Sequence, residues 1–224
     1  MIKKILNLYA GIGGNRLKWG NEFEVTAVEY MPEIAKIYQD HFPNDTVIVG
    51  DAHQYLLDHY HEFDFIWTSP PCQSHTTMNI ANSLSPYPED EEKMRKQKEN
   101  GGGIVPRYPK MELYQEIILL THFFKGKWCV ENVIGYYEPL IPPNEIADHY
   151  FWTNFILRDF HGEGRGMGQG DGIEKLQKIK GFDLSKYKGV DKRLLLRNCV
   201  EPELAKHILD LAINPIDFQK NIFG

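Results

Sequence analysis

Short, mostly apolar runs at 5–9, 25–28, 47–49, 65–67 and 128–130 recur along the chain, each separated from the next by an amphipathic stretch. Runs of this length, rich in Val, Ile and aromatic residues, predict buried strands, and a sixth is expected around 150–157. Helices are expected at 15–19, 31–41, 52–59 and 111–124; in the last of these Leu113, Glu116, Ile117 and Leu120 fall at helical spacing. A final helix, Pro202–Ile213, carries Leu204, Ile208 and Leu211 on one face and Pro202 in its first turn, where a missing N–H costs nothing. Strands alternating with helices predict an α/β domain, a parallel sheet with helices on both faces. Two segments break the alternation. Residues 83–109 combine prolines, paired acids and Gly101-Gly102-Gly103, and read as a long polar loop of the kind that serves as a lid. Residues 161–172 carry glycine at every even position from 162 to 172, too many for a helix or an interior strand.

The 224 residues suit one domain, and 42% hydrophobic with 25% charged residues places the chain in the globular range. The apolar runs are far too short to span a bilayer and the N-terminus does not read as a signal peptide, so a cytoplasmic protein without membrane contact is expected. Cys72, Cys129 and Cys199 are widely spaced and unpaired in sequence, which suggests neither a disulfide framework nor a metal site. A net charge of −6 argues against a polyanionic partner until its distribution is considered, since residues 158–197 hold 10 Lys/Arg against 6 Asp/Glu. That stretch could face phosphates or simply be a solvated surface.

The first strand runs into Ala10-Gly11-Ile12-Gly13-Gly14, where glycines allow a tight turn and close approach to a ligand before a helix opens. The spacing differs from the dinucleotide pattern Gly-x-Gly-x-x-Gly, so a nicotinamide cofactor is disfavoured. Glu29 and Asp51 end the next two strands on the same edge, and the three features together describe an adenosine-binding edge, although Asp51 could equally cap the helix that follows it. The fourth strand ends in Ser69-Pro70-Pro71-Cys72-Gln73-Ser74, where two prolines fix the backbone that presents a candidate nucleophile. The fifth ends in Glu131-Asn132-Val133, and a glutamate against an apolar strand suits a proton donor. Cys129 alternates inward and reads as core.

Taken in order, Tyr9-Ala10-Gly11-Ile12-Gly13-Gly14, Ser69-Pro70-Pro71-Cys72-Gln73-Ser74, Glu131-Asn132-Val133 and Arg197-Asn198-Cys199-Val200-Glu201-Pro202 resemble the cytosine-5 DNA methyltransferases. The resemblance implies a Rossmann-like S-adenosylmethionine-dependent methyltransferase sheet. It implies cofactor contacts from Tyr9, Ala10, Gly11, Gly13, Gly14, Glu29, Tyr30, Asp51, Ala52, Pro70, Leu113 and Asn198. It further implies that Cys72 adds to C6 of an extruded cytosine while Glu131, with Asn132 beside it, protonates N3, and that Gln73 and Ser74 face the substrate. This fits the chemistry, because C5 is not nucleophilic until the ring is attacked and a stacked base cannot be reached. DNA containing cytosine is then the partner, met by an expected monomer in a bacterial or phage-infected cell, in a restriction–modification system or another role.

The family's Gln-x-Arg-x-Arg motif, whose arginine helps to bind cytosine, has no match here, and Arg107, Arg158 and Arg165 are the candidate substitutes. Residues 149–155 occupy that region and read as a buried strand. A target-recognition domain of ordinary size is also missing, which leaves a catalytic domain at 1–157 and 193–224 and a small basic, Gly-rich insertion at 158–192, with readout slight or supplied by a further partner. Rival readings are cytosine-5 methylation of RNA, amino-group methylation, and a relative that binds cofactor or DNA without turnover.

Overall fold

The computed structural model describes residues 2–76, 109–160 and 172–214. Seven strands form one sheet: β1 Lys4–Leu8, β2 Glu24–Glu29, β3 Thr46–Val49, β4 Phe65–Thr68, β5 Lys127–Val133, β6 Asn144–Ile146 and β7 His149–Thr153, in the order β3-β2-β1-β4-β5-β7-β6. The first five are parallel; β7 runs antiparallel to β5, and β6 to β7. Strand order reverses beside β1, and open α/β sheets bind ligands at the carboxyl ends of the strands at such a point.

Helices cover both faces, and the alternation of side chains along each strand decides which residues meet which helix. On one face Ile5, Phe65, Trp67, Cys129 and Phe151 pack with Leu204, Ile208 and Leu209 of the last helix, α6 Pro202–Ile213. On the other, Leu6, Leu8, Ile66 and Val130 meet Leu56 of α2 Ala52–His59 and Leu113, Ile117 and Leu120 of α3 Glu112–Phe123. Each fully buried aliphatic side chain contributes about 1.5 to 3 kcal/mol, so α6, with no buried polar side chain of its own, is held chiefly by this term. No helix among the described residues is long and apolar enough to cross a membrane.

Several expectations change. The 15–19 helix is a short 3₁₀ turn, Asn15–Lys18, and the next helix, α1 Pro32–His41, starts one residue later than expected because Met31 at its N-cap is extended. The strand expected at 150–157 is β7 of a β6–β7 hairpin and stops at Thr153, because Asn154 turns its side chain to the backbone of Trp128 and Gly126. The basic stretch carries two short helices in its described part. It forms α4 Ile173–Lys180 and α5 Lys192–Arg197, whose Leu176, Leu195 and Leu196 share a core with Ile12 and Ile37. Lys180 is 1% exposed and donates to the Cys199 carbonyl (2.7 Å) and Glu201 Oε1 (2.8 Å), so it ties α4 to the chain entering α6 and faces no phosphate. The loop at 83–109, except for Pro109, lies outside the described residues, as does 161–171.

Candidate functional site

At the carboxyl edge of the sheet, β1 ends in Tyr9 with φ +54° and passes into Gly11 with φ +55°. A Cβ on Gly11 would meet no protein atom within 4 Å, so open space adjoins the backbone there. At Gly14 the constraint is the opposite: a Cβ would lie 2.6 Å from that of Cys199, which packs the glycine loop against the Asn198-Cys199 segment. Glu29, at the end of β2, is buried and accepts hydrogen bonds from Gly11 N and Met31 N, both at 3.0 Å, so its carboxylate pins the glycine loop. Tyr30 and Met31 beside it are 72% and 46% exposed, an apolar surface at the strand end. Asp51 caps α2, accepting from Gln54 N at 3.0 Å, and stays exposed. Ala10, Ala52 and Leu113 are buried around this edge, and Asn198 is exposed where α5 ends. An open glycine turn, an acid behind it and an exposed aromatic beside it suit a nucleoside carrying a positively charged sulfur.

One acid that the spacing of α3 had placed with the apolar positions organises this edge. Glu116 is fully buried, and its carboxyl group accepts from the Tyr9 hydroxyl (2.7 Å) and the Thr68 hydroxyl (2.6 Å) and pairs with His53 Nδ1 (3.0 Å). Three loops therefore meet on one side chain: the one after β1, the one after β4 that leads to Cys72, and the first turn of α2. Burial foremost, then the charge of Glu116, holds the Tyr9 phenol well above its ordinary range, and the hydrogen bond to Glu116 raises His53.

Across the edge, β4 leads through Pro70 and Pro71 into a 3₁₀ turn, Cys72–Ser74. Cys72 is half-buried, whereas Cys129 and Cys199 are buried. Burial, then the charge of Glu131, pushes the Cys72 thiol up to about 11, and burial lifts Cys199 to about 12. Thr68 lies opposite Val130, so Pro70 reaches the level of Asn132. Asn132 Nδ2 donates to the Pro70 carbonyl at 3.0 Å and its Oδ1 accepts from Val133 N, so this buried amide positions the Cys72 loop and keeps a second N–H. Glu131 is buried beside it, 3.7 Å from His149 Nε2 on β7.

Other expected substrate contacts fall differently. Gln73 is exposed, but Ser74 is buried and its Oγ accepts from Lys110 N at 3.0 Å, so it fastens the returning chain. Arg158 lies at the wrong edge. It follows β7, which runs away from the carboxyl ends, and its carbonyl sits 3.2 Å from His207 Nε2 on α6. Arg107 and Arg165 are outside the described residues. Sequence reading missed Glu116 and His149. The one signal for Glu116 was an acid on a helix face otherwise apolar.

Residues 3–82 match the family model of C-5 cytosine-specific DNA methylases. No curated protein matches the chain. Among solved structures, similar folds include a hypothetical protein of Thermus thermophilus (15% identity, TM-score 0.41, 67% of this chain and 73% of that one). Another is a mutant of Spodoptera frugiperda DNMT2 (24%, 0.37, 60% of this chain and 36% of that one). A third is a prophage-encoded protein of E. coli described as a DNA modification methyltransferase (18%, 0.35, 61% of this chain and 33% of that one). The chain thus spans about a third of the length of the last two. The fold is a doubly wound, Rossmann-like α/β sheet that ends in an antiparallel hairpin at one edge.

Proposed function

We propose that this methyltransferase, matched over residues 3–82 by C-5 cytosine-specific DNA methylases, transfers a methyl group to C5 of cytosine in DNA with Cys72 as nucleophile and Glu131 as acid. The observation that carries the reading is the pairing of a half-buried thiol on a proline-fixed loop with a buried glutamate on the next strand, the two loops joined by the Asn132–Pro70 hydrogen bond. S-adenosylmethionine supplies an electrophilic methyl group when bound. Its holders are the glycine loop at Gly11, the end of β2 at Glu29 and Tyr30, and Asp51.

The residues of the chain account for the remaining steps. The Cys72 thiol gives up its proton to solvent and Sγ bonds to C6 as a second proton moves from Glu131 to N3, so the electron pair displaced from C6 makes C5 nucleophilic. After methylation a base removes the C5 proton, the C6–S bond breaks, and the N3 proton returns. Glu131 is buried away from bulk water, and the Asn132 amide keeps the thiol loop in register with it.

The test is methyl transfer to mixed-sequence duplex DNA, read as 5-methylcytosine after digestion to nucleosides, with Cys72→Ala as control. Loss of product in the variant is expected. Product on transfer RNA alone, N4-methylcytosine, or activity that survives Cys72→Ala would overturn the reading.

A further inference from the structure

His149 opens β7 at the carboxyl edge, directly after the β6–β7 turn, in which Ala147 and Asp148 both adopt positive φ (+48° and +65°). That turn folds the Ala147 carbonyl back to His149 Nδ1 at 3.0 Å. A carbonyl only accepts, so Nδ1 carries a proton and Nε2 of a neutral ring is left with a lone pair. Nε2 faces Glu131 Oε1 at 3.7 Å. That distance is within ion-pair reach and beyond a hydrogen bond, so a neutral imidazole and a carboxylate would oppose lone pairs there, whereas one added proton makes the contact attractive.

The strand register supports this placement. Glu131 lies opposite Phe151, which puts His149 on the same face of the sheet as the diagonal neighbour of Glu131. The His149 side chain is 29% exposed and that of Glu131 8%, so the imidazole stands between the buried acid and solvent. Of the charged groups on the neighbouring segments, Asp148 precedes His149 in the turn and Glu145 on β6 lies opposite Tyr150, hence on the other face of the sheet; Cys72 lies beyond Glu131.

We propose that His149 is the positioning residue of the proton step, holding one proton jointly with Glu131 for delivery to the ring nitrogen of the base. The inference rests on the cytosine-5 reading above. The proton leaves the pair for N3 as Cys72 Sγ bonds to C6; Glu131 then accepts from N3–H beside a neutral imidazole. When the C6–S bond breaks, the proton returns to the pair, so no proton is consumed at this site. The shared proton also has a second effect. It cancels the Glu131 charge, the second cause that burdens the Cys72 thiolate, so the nucleophile is easier to form when the acid is loaded.

Two measurements test this. In the protein alone, histidine ¹⁵N NMR should find His149 with its proton on Nδ1 and an Nε2 resonance that shifts in Glu131→Gln. An Nε2–H tautomer, or an Nε2 signal indifferent to Glu131, would overturn the proposal whatever the enzyme does. The second measurement is the rate of covalent adduct formation on duplex DNA containing 5-fluorocytosine, with S-adenosylmethionine, as a function of pH. His149→Ala should slow it about 100-fold near neutral pH, the lower end of general-acid contributions. The loss should shrink toward acid pH, where solvent can supply the proton, and His149→Gln should not restore the neutral rate. Parallel pH profiles for wild type and His149→Ala would refute the role. If wild type forms no adduct at any pH, the cytosine-5 reading fails and the NMR result alone decides the shared proton.

Discussion

Replacing Glu116 by alanine should loosen the glycine turn after β1 and the Cys72 loop together. The substitution removes the acceptor for the Tyr9 and Thr68 hydroxyls and the partner of His53. Thr68 is fully buried and Tyr9 largely so, and a buried donor left without a partner costs about 1 to 3 kcal/mol. His53, 21% exposed, can turn to water and adds little. Against this stands the cost of burying the acid itself, which the variant no longer bears. A net loss of about 2 to 4 kcal/mol follows, or roughly 5 to 15 °C in Tm for a chain of this size. Because Tyr9 begins the glycine loop at a positive φ and Thr68 precedes the Pro-Pro-Cys turn, S-adenosylhomocysteine affinity should also fall, by about tenfold.

Glu116→Gln separates shape from charge. Oε1 receives both Tyr9 and His53 and can remain an oxygen, while the new amide faces a Thr68 hydroxyl that rotates from donating to accepting. This variant should lose under about 1 kcal/mol. Urea unfolding and calorimetric titration with S-adenosylhomocysteine measure both effects. A Glu116→Ala protein within about 0.5 kcal/mol of wild type, with unchanged affinity, would show that the three loops do not depend on this carboxyl group.

Three more outcomes follow from the same structure. Glu116 raises His53 in the folded state, so its stabilisation should be fully present below the unfolded value of about 6.5 and vanish as pH rises through the folded one; the urea-midpoint gap between wild type and His53→Gln should narrow from about pH 6 to 8. With its thiol pushed up to about 11, Cys72 in the free protein should react with iodoacetamide at a rate that climbs steadily from about pH 8 to 10; Glu131→Gln should speed the reaction at the lower end, and a rate already level there would contradict the burial argument. Lys180→Ala should cost about 2 to 3 kcal/mol, since it strips the Cys199 carbonyl and Glu201 of their buried partner, without changing the salt dependence of DNA binding as a phosphate contact would.

The parallel half of the sheet was legible because hydrophobic burial dictates it. Runs such as Phe65-Ile66-Trp67 are buried on both faces and must be central strands, and β4 lies between β1 and β5. The β6–β7 hairpin was not. Asn144-Glu145-Ile146 has one buried residue in three, being an edge strand, and the turn beyond it uses Ala147 and Asp148 at positive φ in place of the glycine that would have signalled it. The inward side of the basic stretch was hidden for a related reason. Charge describes the outward face of a helix and says nothing of the inward one, so Leu176 and the buried Lys180 were hidden by their neighbours.

The site divides along the same line. Residues held by backbone chemistry, the glycine turn and the Pro-Pro-Cys loop, carry local signals that a sequence displays. Residues that act through partners distant in the chain do not: Glu116 meets Tyr9 across 107 positions, and His149 meets Glu131 only because β7 returns antiparallel beside β5. The missing arginine motif belongs to the second class. A search for a basic residue by type pointed to Arg158, but an antiparallel strand exchanges the two ends of the sheet along its length, so the residue that reaches the acid is the first of β7 and not one beyond its last. A partner for a buried acid is therefore better sought by strand register than by charge.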